Sequence, residues 1–232
     1  MKTIVILTGA GISAESGIQT FRGDGGLWEG ERVEDVATPE GFARDPARVQ
    51  RFYNERRRKL LSGIEPNEGH RAIARLQSEF DGEVLLVTQN IDHLHEKGGS
   101  QQVLHMHGEL LRARCTSCDE DFETLVDLGP ETQCPLCEST GNCRPDIVWF
   151  GEMPYHMPRI EKTLERVDVF IAVGTSARVY PAAGFSELAR YAGAETIEVN
   201  LEPTAGSHSF SRVEQGPAGE VLPRLVAELL RK

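Results

Sequence analysis

Five short apolar runs punctuate the chain: Thr3–Leu7, Glu83–Val87, Val103–Met106, Asp168–Val173 and Thr196–Leu201. In the first four the apolar residues are mostly consecutive rather than alternating, the pattern of strands covered on both faces, and Thr196–Leu201 is read with them. Between the runs lie amphipathic stretches, Pro46–Leu61, Glu68–Glu79, Ile160–Val167, Ala182–Ala192 and Val221–Leu230, which read as helices. Strand alternating with helix predicts an α/β fold built on a doubly wound parallel sheet. Such a sheet binds its ligand in the crevice beyond the carboxyl ends of its strands. Here those ends carry Thr8-Gly9-Ala10-Gly11, Thr88 to Asp92, His107-Gly108, Gly174-Thr175-Ser176 and Asn200-Leu201-Glu202. Any one would be an ordinary loop; five sets of small or hydrogen-bonding residues at one edge indicate a site.

The segment Arg112–Arg144 breaks the pattern, with few aliphatic residues, no helical or strand periodicity, and all five cysteines of the chain. Cys115-Thr-Ser-Cys118 and Cys134-Pro-Leu-Cys137 form C-x2-C-x15-C-x2-C, a zinc-site spacing. Four thiolates complete a tetrahedral sphere and leave no open position, so the metal is structural. Two disulfides are the alternative, one that a reducing compartment disfavours. Cys143 is left over and reads as a buried bystander.

At 232 residues the chain has room for one well-buried core, or one domain with a smaller insertion. No apolar run approaches the roughly 20 residues of a membrane helix, and Ile4–Leu7 is too short for a signal-peptide core. The expectation is a cytoplasmic protein with no membrane partner, acting as a monomer. A formal charge of −11 disfavours nucleic acid as a partner.

Gly9-Ala10-Gly11-Ile12-Ser13-Ala14 fits G-x-G-x-x-G/A after a strand, where glycines let backbone N–H groups approach a pyrophosphate. A dehydrogenase would continue down a helix into a second strand ending in an acidic residue about 20 positions on. Instead Ser16-Gly17-Ile18 interrupts the helix, and Phe21-Arg22-Gly23-Asp24-Gly25-Gly26 is a polar loop with a single cation. The hydride-transfer layout is missing.

The succession G-A-G-I-S-A-E-S-G-I-x-x-F-R-G, T-Q-N-I-D, H-x-H-G, the paired C-x-x-C, G-T-S and a late N-L-E resembles, in order and spacing across essentially the whole chain, the sirtuin family of NAD-dependent protein deacylases. The resemblance implies a Rossmann-like large domain (about 1–30, 66–110 and 148–232) and a small domain of a helical insertion (31–65) and a zinc ribbon (111–147). It implies NAD+ consumed as co-substrate, one structural Zn2+, and acyl-lysine proteins or peptides as substrates. In sirtuins the nicotinamide leaves unreduced: the acyl-lysine carbonyl oxygen attacks ribose C1′, and a ribose hydroxyl activated by a histidine then attacks the former acyl carbon. His107 matches that histidine, and imidazole titrates in the range a general base needs. His105, two residues earlier, reads as core.

Gln89, Asn90, Ile91 and Asp92 match the family's nicotinamide and ribose pocket, with Asn90 also orienting the ribose or a water; without the resemblance, N-I-D is a good helix cap. The remaining cofactor positions implied are Gly9, Ala10, Gly11, Ala14 and Glu15 in the first turn, and Phe21, Arg22 and Trp28 in the loop after it. Gly174, Thr175 and Ser176 match phosphate and ribose contacts, Asn200, Leu201 and Glu202 the adenosine end, and Ala218 the adenine wall; Glu202 could equally be a surface carboxylate. Val148, Trp149, Phe150 and Gly151 resemble the segment along which the substrate lies as an added strand.

Tyr53 and Arg56, spaced i, i+3, share one side of a helix. They match the Y-x-x-R of the sirtuin subgroup that removes succinyl and malonyl groups, where a guanidinium and a phenol meet the acyl carboxylate. Ala37 would leave that pocket wide, and acetyl-lysine remains a substrate. Arg57, Arg58 and Lys59 read as a solvated basic face. Two other uses of NAD stay open from the residues alone, mono-ADP-ribosyl transfer and hydride transfer, as does a non-enzymatic zinc-ribbon adaptor.

Overall fold

A computed structural model describes residues 1–19, 27–28, 30–176 and 178–231. β1 (Lys2–Thr8) runs straight into a short α1 (Ala10–Ala14). The antiparallel pair β2 (Leu27–Trp28) and β3 (Glu31–Arg32) precedes α2 (Val33–Val36), α3 (Pro39–Arg44) and α4 (Pro46–Leu61). α5 (Glu68–Glu79), β4 (Gly82–Thr88), α6 (Leu94–Lys97) and β5 (Val103–His105) follow. Next come β6 (Gly108–Cys115), β7 (Asp121–Glu123) and β8 (Cys143–Ile147). The chain then adds α7 (Met157–Leu164), β9 (Val169–Val173), α8 (Phe185–Tyr191), β10 (Glu195–Asn200), β11 (Arg212–Gln215) and α9 (Ala218–Leu229).

The main sheet has the order β11-β10-β9-β1-β4-β5, parallel throughout, with the direction of winding reversing at β1. Alternate residues of each strand feed two cores. Ile4, Ile6, Leu86, Ile171 and Val199 pack with α5 and α9, whereas Val5, Leu7, Val87 and Phe170 pack with α7 and α8. This is the doubly wound α/β sheet that the apolar runs predict, and its strand ends meet at the switch point beside β1.

The helices begin where the chain offers caps. Asp45 accepts from the Arg48 amide at 2.9 Å, with Pro46 behind it, and so starts α4. Asn67 and His70 form a reciprocal capping box at the start of α5. Both helices have the ends their pattern predicts. α7 starts at Met157 rather than Ile160 because Pro158 sits in its first turn, and α9 starts at Ala218, one turn earlier than Val221. Ala182–Gly184 forms a separate 3-10 turn ahead of α8.

Three features depart from the sequence reading. β11 is a sixth parallel strand at the sheet edge; its residues alternate half-buried and exposed, so it lacks an apolar run. The cysteine segment, which shows no periodicity, contributes to the three-stranded antiparallel sheet β7-β6-β8. Arg57 is fully buried, donating to the carbonyl of Leu110 at 3.0 Å and to Asn54 Oδ1 at 2.8 Å. It ties α4 to β6 instead of facing solvent, while Arg58 and Lys59 are exposed.

A third cluster joins Val36, Ala37, Val49, Phe52, Tyr53 and Leu60 of the helical segment to Leu110, Ile147 and Trp149. A fourth packs Ala113, Leu128 and Cys143 around the cysteine site. Among the described residues no helix is long and apolar enough to cross a membrane.

Candidate functional site

A cavity of about 800 Å3 opens at the carboxyl ends of the main strands. Gly9, Ala10, Gly11, Gln89, Asn90, Ile91, Asp92, His107, Gly174, Thr175, Ser176, Asn200 and Glu202 line it from the sheet. Trp28, Tyr53, Val148, Trp149, Phe150 and Gly151 line it from the opposite side.

The floor begins with a close backbone contact. A Cβ on Gly11 would stand 2.6 Å from Gly174 Cα, and one on Gly9 would stand 2.8 Å from Gly174 O, so the first turn can lie against the β9 loop only with glycines there. The amides of Gly9 and Gly11 donate to Val173 O and Gly174 O at 2.9 and 2.8 Å. The two amides are thus spent on packing turn against loop, where the sequence reading had them face a pyrophosphate.

His107 sits between β5 and β6, half-buried. Its Nδ1 lies 3.2 Å from the carbonyl of Gln89. A carbonyl only accepts, so Nδ1 carries the hydrogen and Nε2 keeps its lone pair in the neutral ring. Burial lowers the imidazole pKa below its ordinary value, against the opposing pull of the Gln89 hydrogen bond. The ring is neutral at pH 7 and able to take a proton. Gly108 follows with φ +81, and a Cβ there would lie 2.0 Å from Asp146 O; the glycine lets β6 pass β8 just after the histidine.

His105 is buried, its Nε2 2.8 Å from Glu96 Oε1 and its Nδ1 3.2 Å from Asn90 O, as its core reading requires. Under the floor runs a polar network. Asn90 Nδ2 donates to Ser13 Oγ at 3.1 Å, and Ser13 Oγ donates to Asp92 Oδ2 at 3.0 Å. His70 Nδ1 accepts from the Asn67 amide, so its Nε2–H faces Ser13 Oγ at 3.4 Å. Thr8 donates to Thr88 and meets His95 Nε2 at 2.9 Å.

Asp92 also receives the Leu94 amide on Oδ1 at 3.1 Å, one position ahead of the α6 N-cap, which is His93 and not a residue of N-I-D, while still lining the cavity. Burial raises its pKa, and the bonds from Leu94 and Ser13 oppose that shift. Gln89 Nε2 donates to Thr175 Oγ1 at 3.1 Å, linking two strand ends across β1.

On the opposite wall, Tyr53 is fully buried and its hydroxyl accepts from Trp149 Nε1 at 3.0 Å. The phenolic hydrogen takes no part in that bond. Burial raises the Tyr53 pKa, so the hydroxyl stays neutral. Arg56 faces a smaller adjoining cavity of about 70 Å3, which shares Ile18, Gln19, Trp28, Ile91 and Asp92 with the large one. Its guanidinium lies 3.1 Å from the Phe52 ring centroid and donates to Phe52 O at 2.6 Å. Arg144 braces Val148–Gly151 from behind: it stacks 3.4 Å from the Trp149 ring centroid and holds Glu152, which accepts from the Trp149 amide.

Four of the sequence-derived cofactor positions are described but lie outside the cavity: Ala14, Glu15, Leu201 and Ala218. Glu15 is exposed and accepts from the Gly219 amide at 3.1 Å, tying α1 to α9. Phe21 and Arg22 lie outside the described residues. The cavity also takes wall from Met153, Pro154, Val179, Tyr180, Pro181 and Thr204, which no motif marks because they are loop residues without periodicity. Ser13, the hub beneath Asn90 and Asp92, is fully buried, and its place inside the glycine-rich motif after β1 was the available signal.

The Sγ atoms of Cys115, Cys118, Cys134 and Cys137 all lie within 4.8 Å of one another, with Cys115–Cys137 at 3.7 Å and Cys118–Cys134 at 3.9 Å. Zinc–sulfur bonds of about 2.3 Å in a tetrahedron place sulfurs about 3.8 Å apart. The donor set fits one structural zinc ion, and no cysteine is in a disulfide. Cys143 is buried nearby, its thiol pushed up to about 11 by burial and by the neighbouring sulfurs.

Comparisons with known proteins agree with this geometry. The model of the Sir2 family matches residues 9–181. An NAD-dependent protein deacylase of Vibrio cholerae is 56% identical over 228 residues, which are 98% of this chain and 93% of that protein. A Sir2 homologue solved as an NAD complex superposes with a TM-score of 0.89 at 42% identity, covering 99% of this chain and 90% of the other. Sir2Af2 bound to a myristoylated histone peptide superposes with a TM-score of 0.76 at 34% identity, covering 99% and 92%.

Proposed function

We propose, from the premise that this chain belongs to the Sir2 family, that its crevice removes acyl groups from protein lysines at the expense of NAD, with succinyl and malonyl groups preferred and acetyl accepted. The chain is an NAD-dependent protein deacylase, as its relatives are. One observation carries the site assignment. His107 has its Nδ1 fixed by Gln89 O and its Nε2 lone pair free, in the same cavity as Asn90 and Asp92.

Bound NAD supplies an electrophilic ribose carbon with nicotinamide as leaving group. The chain's own residues do the rest. Asp92 offers its remaining lone pairs to the carboxamide amino group. Asn90, held by Ser13 through Nδ2, keeps Oδ1 as an acceptor toward the ribose or a water. His107 takes the proton of a ribose hydroxyl at Nε2. Gly174, Thr175, Ser176, Asn200 and Glu202, which line the cavity, would hold the phosphates and the adenosine, and the four cysteine sulfurs would hold the zinc. Val148–Gly151, which lines the cavity, is the segment along which the peptide would lie.

Acid selectivity rests on Tyr53 and Arg56. The Tyr53 hydroxyl, with one lone pair engaged by Trp149, donates to an acyl carboxylate entering from the cavity. Arg56, beyond the wall that Trp28 shares with both cavities, provides the cation for that carboxylate. Free thiols in the zinc site suit a reducing, cytoplasmic setting.

The test is to incubate the protein with NAD and matched acetyl-, malonyl- and succinyl-lysine peptides and to quantify nicotinamide released with each. The proposal expects release with all three and higher kcat/KM for the two acidic groups. Release with acetyl peptide alone would overturn the acid preference, and release with none would overturn deacylation.

A further inference from the structure

β10 carries an unusual residue for a central strand. Strand alternation sends Ile197 and Val199 into the α5–α9 core, and puts Glu198 on the opposite face, 1% exposed. Its carboxylate is met by neutral donors. Oε1 accepts from Asn200 Nδ2 at 3.1 Å and from Thr204 Oγ1 at 2.7 Å, and Oε2 accepts from Ser207 Oγ. The donors are themselves fixed: the Thr204 amide donates to Ser207 Oγ at 2.7 Å, and Asn200 Nδ2 also reaches Thr175 O at 3.0 Å. The loop after β10 is therefore wrapped around one buried carboxylate. Asn200, Glu202 and Thr204, at the near end of that loop, line the large cavity, whereas Glu198 and Ser207 do not.

A buried carboxylate is costly to desolvate and is retained only with hydrogen bonds to its oxygens. Each of the donors here lies in the loop or at its root. We propose that Glu198 is a positioning residue that fixes this loop at the far end of the crevice and so sets the affinity for the nucleoside end of NAD without touching it. The inference rests on the reading that the adenosine lies over Asn200–Glu202. With the carboxylate in place, the Asn200 amide and the Thr204 backbone have one arrangement; without it, loop and ligand must be ordered together when NAD binds.

Glu198→Gln keeps the size of the side chain but turns one acceptor into a donor facing donors. The experiment measures ADP-ribose Kd by calorimetry, KM for NAD and for acyl peptide, and kcat, in wild type, Glu198→Gln, Ser207→Ala and the double variant. Glu198→Gln is expected to weaken ADP-ribose and raise KM for NAD by about tenfold, the scale of one charge-assisted hydrogen bond. kcat at saturating NAD and KM for peptide should stay within about twofold. Ser207→Ala should shift the same two constants by about threefold, and should add nothing in the Glu198→Gln background.

A purely structural role would lower Tm and active fraction without splitting KM from kcat. Unchanged ADP-ribose affinity in a folded Glu198→Gln protein would overturn the proposal. If that variant does not fold, unchanged affinity in Ser207→Ala decides against it equally. Failure of the wild-type protein to bind ADP-ribose is a different result, and defeats the cofactor reading itself.

Discussion

With His107 as the proposed base, the pH behaviour of the reaction follows from its burial and its carbonyl partner. The imidazole pKa is held below its ordinary value of 6.5 by burial, so the base loses function only when pH falls through that lowered value. The acid limb of kcat/KM should lie below pH 6.5, with His107→Ala abolishing turnover while circular dichroism is unchanged. An acid limb above that value, or near-normal turnover in the alanine variant, would remove His107 as base. Arg56→Met should cut desuccinylation about tenfold or more relative to deacetylation, because one charge-assisted contact is lost only for the acidic acyl group. Equal loss with both peptides would show that Arg56 serves folding through its contact with Phe52.

The motif residues at strand ends were legible because each chemistry-bearing side chain follows an apolar run. The loops that complete the opposite wall, beside the Trp28, Tyr53 and Val148–Gly151 positions that the motifs did mark, were not. Met153, Pro154 and Val179–Pro181 are apolar loop residues, and nothing in their spacing separates a cavity wall from an ordinary connection.

At the scale of elements, two contacts can be tested by stability. The turn of α1 against the β9 loop has no room for a methyl group at Gly11, and the clash would be with backbone that cannot rotate away. Gly11→Ala should cost about 1–3 kcal/mol in denaturant unfolding, the range of overpacked sites, and should weaken NAD binding as well. A variant as stable as wild type would contradict the contact. The capping histidine of α5 makes a second case. Burial lowers the His70 pKa to about 4. From about pH 6.5 down to about 4 the unfolded chain binds a proton that the folded chain refuses, so this group's stabilisation is present above pH 6.5 and is lost as pH falls. The loss is on the order of 3 kcal/mol. Urea titrations at several pH values should show the decline, and a flat profile over that window would contradict a buried neutral His70.

Secondary structure was read most securely where burial on both faces forces unbroken apolar runs, as in β1, β4 and β9. β11 escaped because it pairs on one side only, and spends Arg212 on Glu214 and Glu228. The ribbon strands β6, β7 and β8 escaped because their few buried apolar residues, such as Leu110, Ala113 and Ile147, are too scattered to make an apolar run.

At the scale of the whole molecule, the zinc site and the crevice are mechanically joined: β6 begins at Gly108, next to His107, and ends at Cys115. Stripping the metal with a chelator should release one zinc per chain and abolish deacylation together with the ribbon's fold. Retention of both would make the ion dispensable. The two walls of the crevice come from different cores, the sheet on one side and the Trp149–Tyr53 cluster on the other. Only their juxtaposition brings the Val148–Gly151 segment, Tyr53 and the His107 imidazole around one cavity.

The most direct measurement of that arrangement is the product balance by mass spectrometry after a single acyl-lysine peptide is consumed with NAD. The account predicts one nicotinamide, one acyl-ADP-ribose and one free lysine for each peptide, and no nicotinamide without peptide. Reduced nicotinamide, ADP-ribose attached to the peptide, or free acid with NAD intact would contradict it.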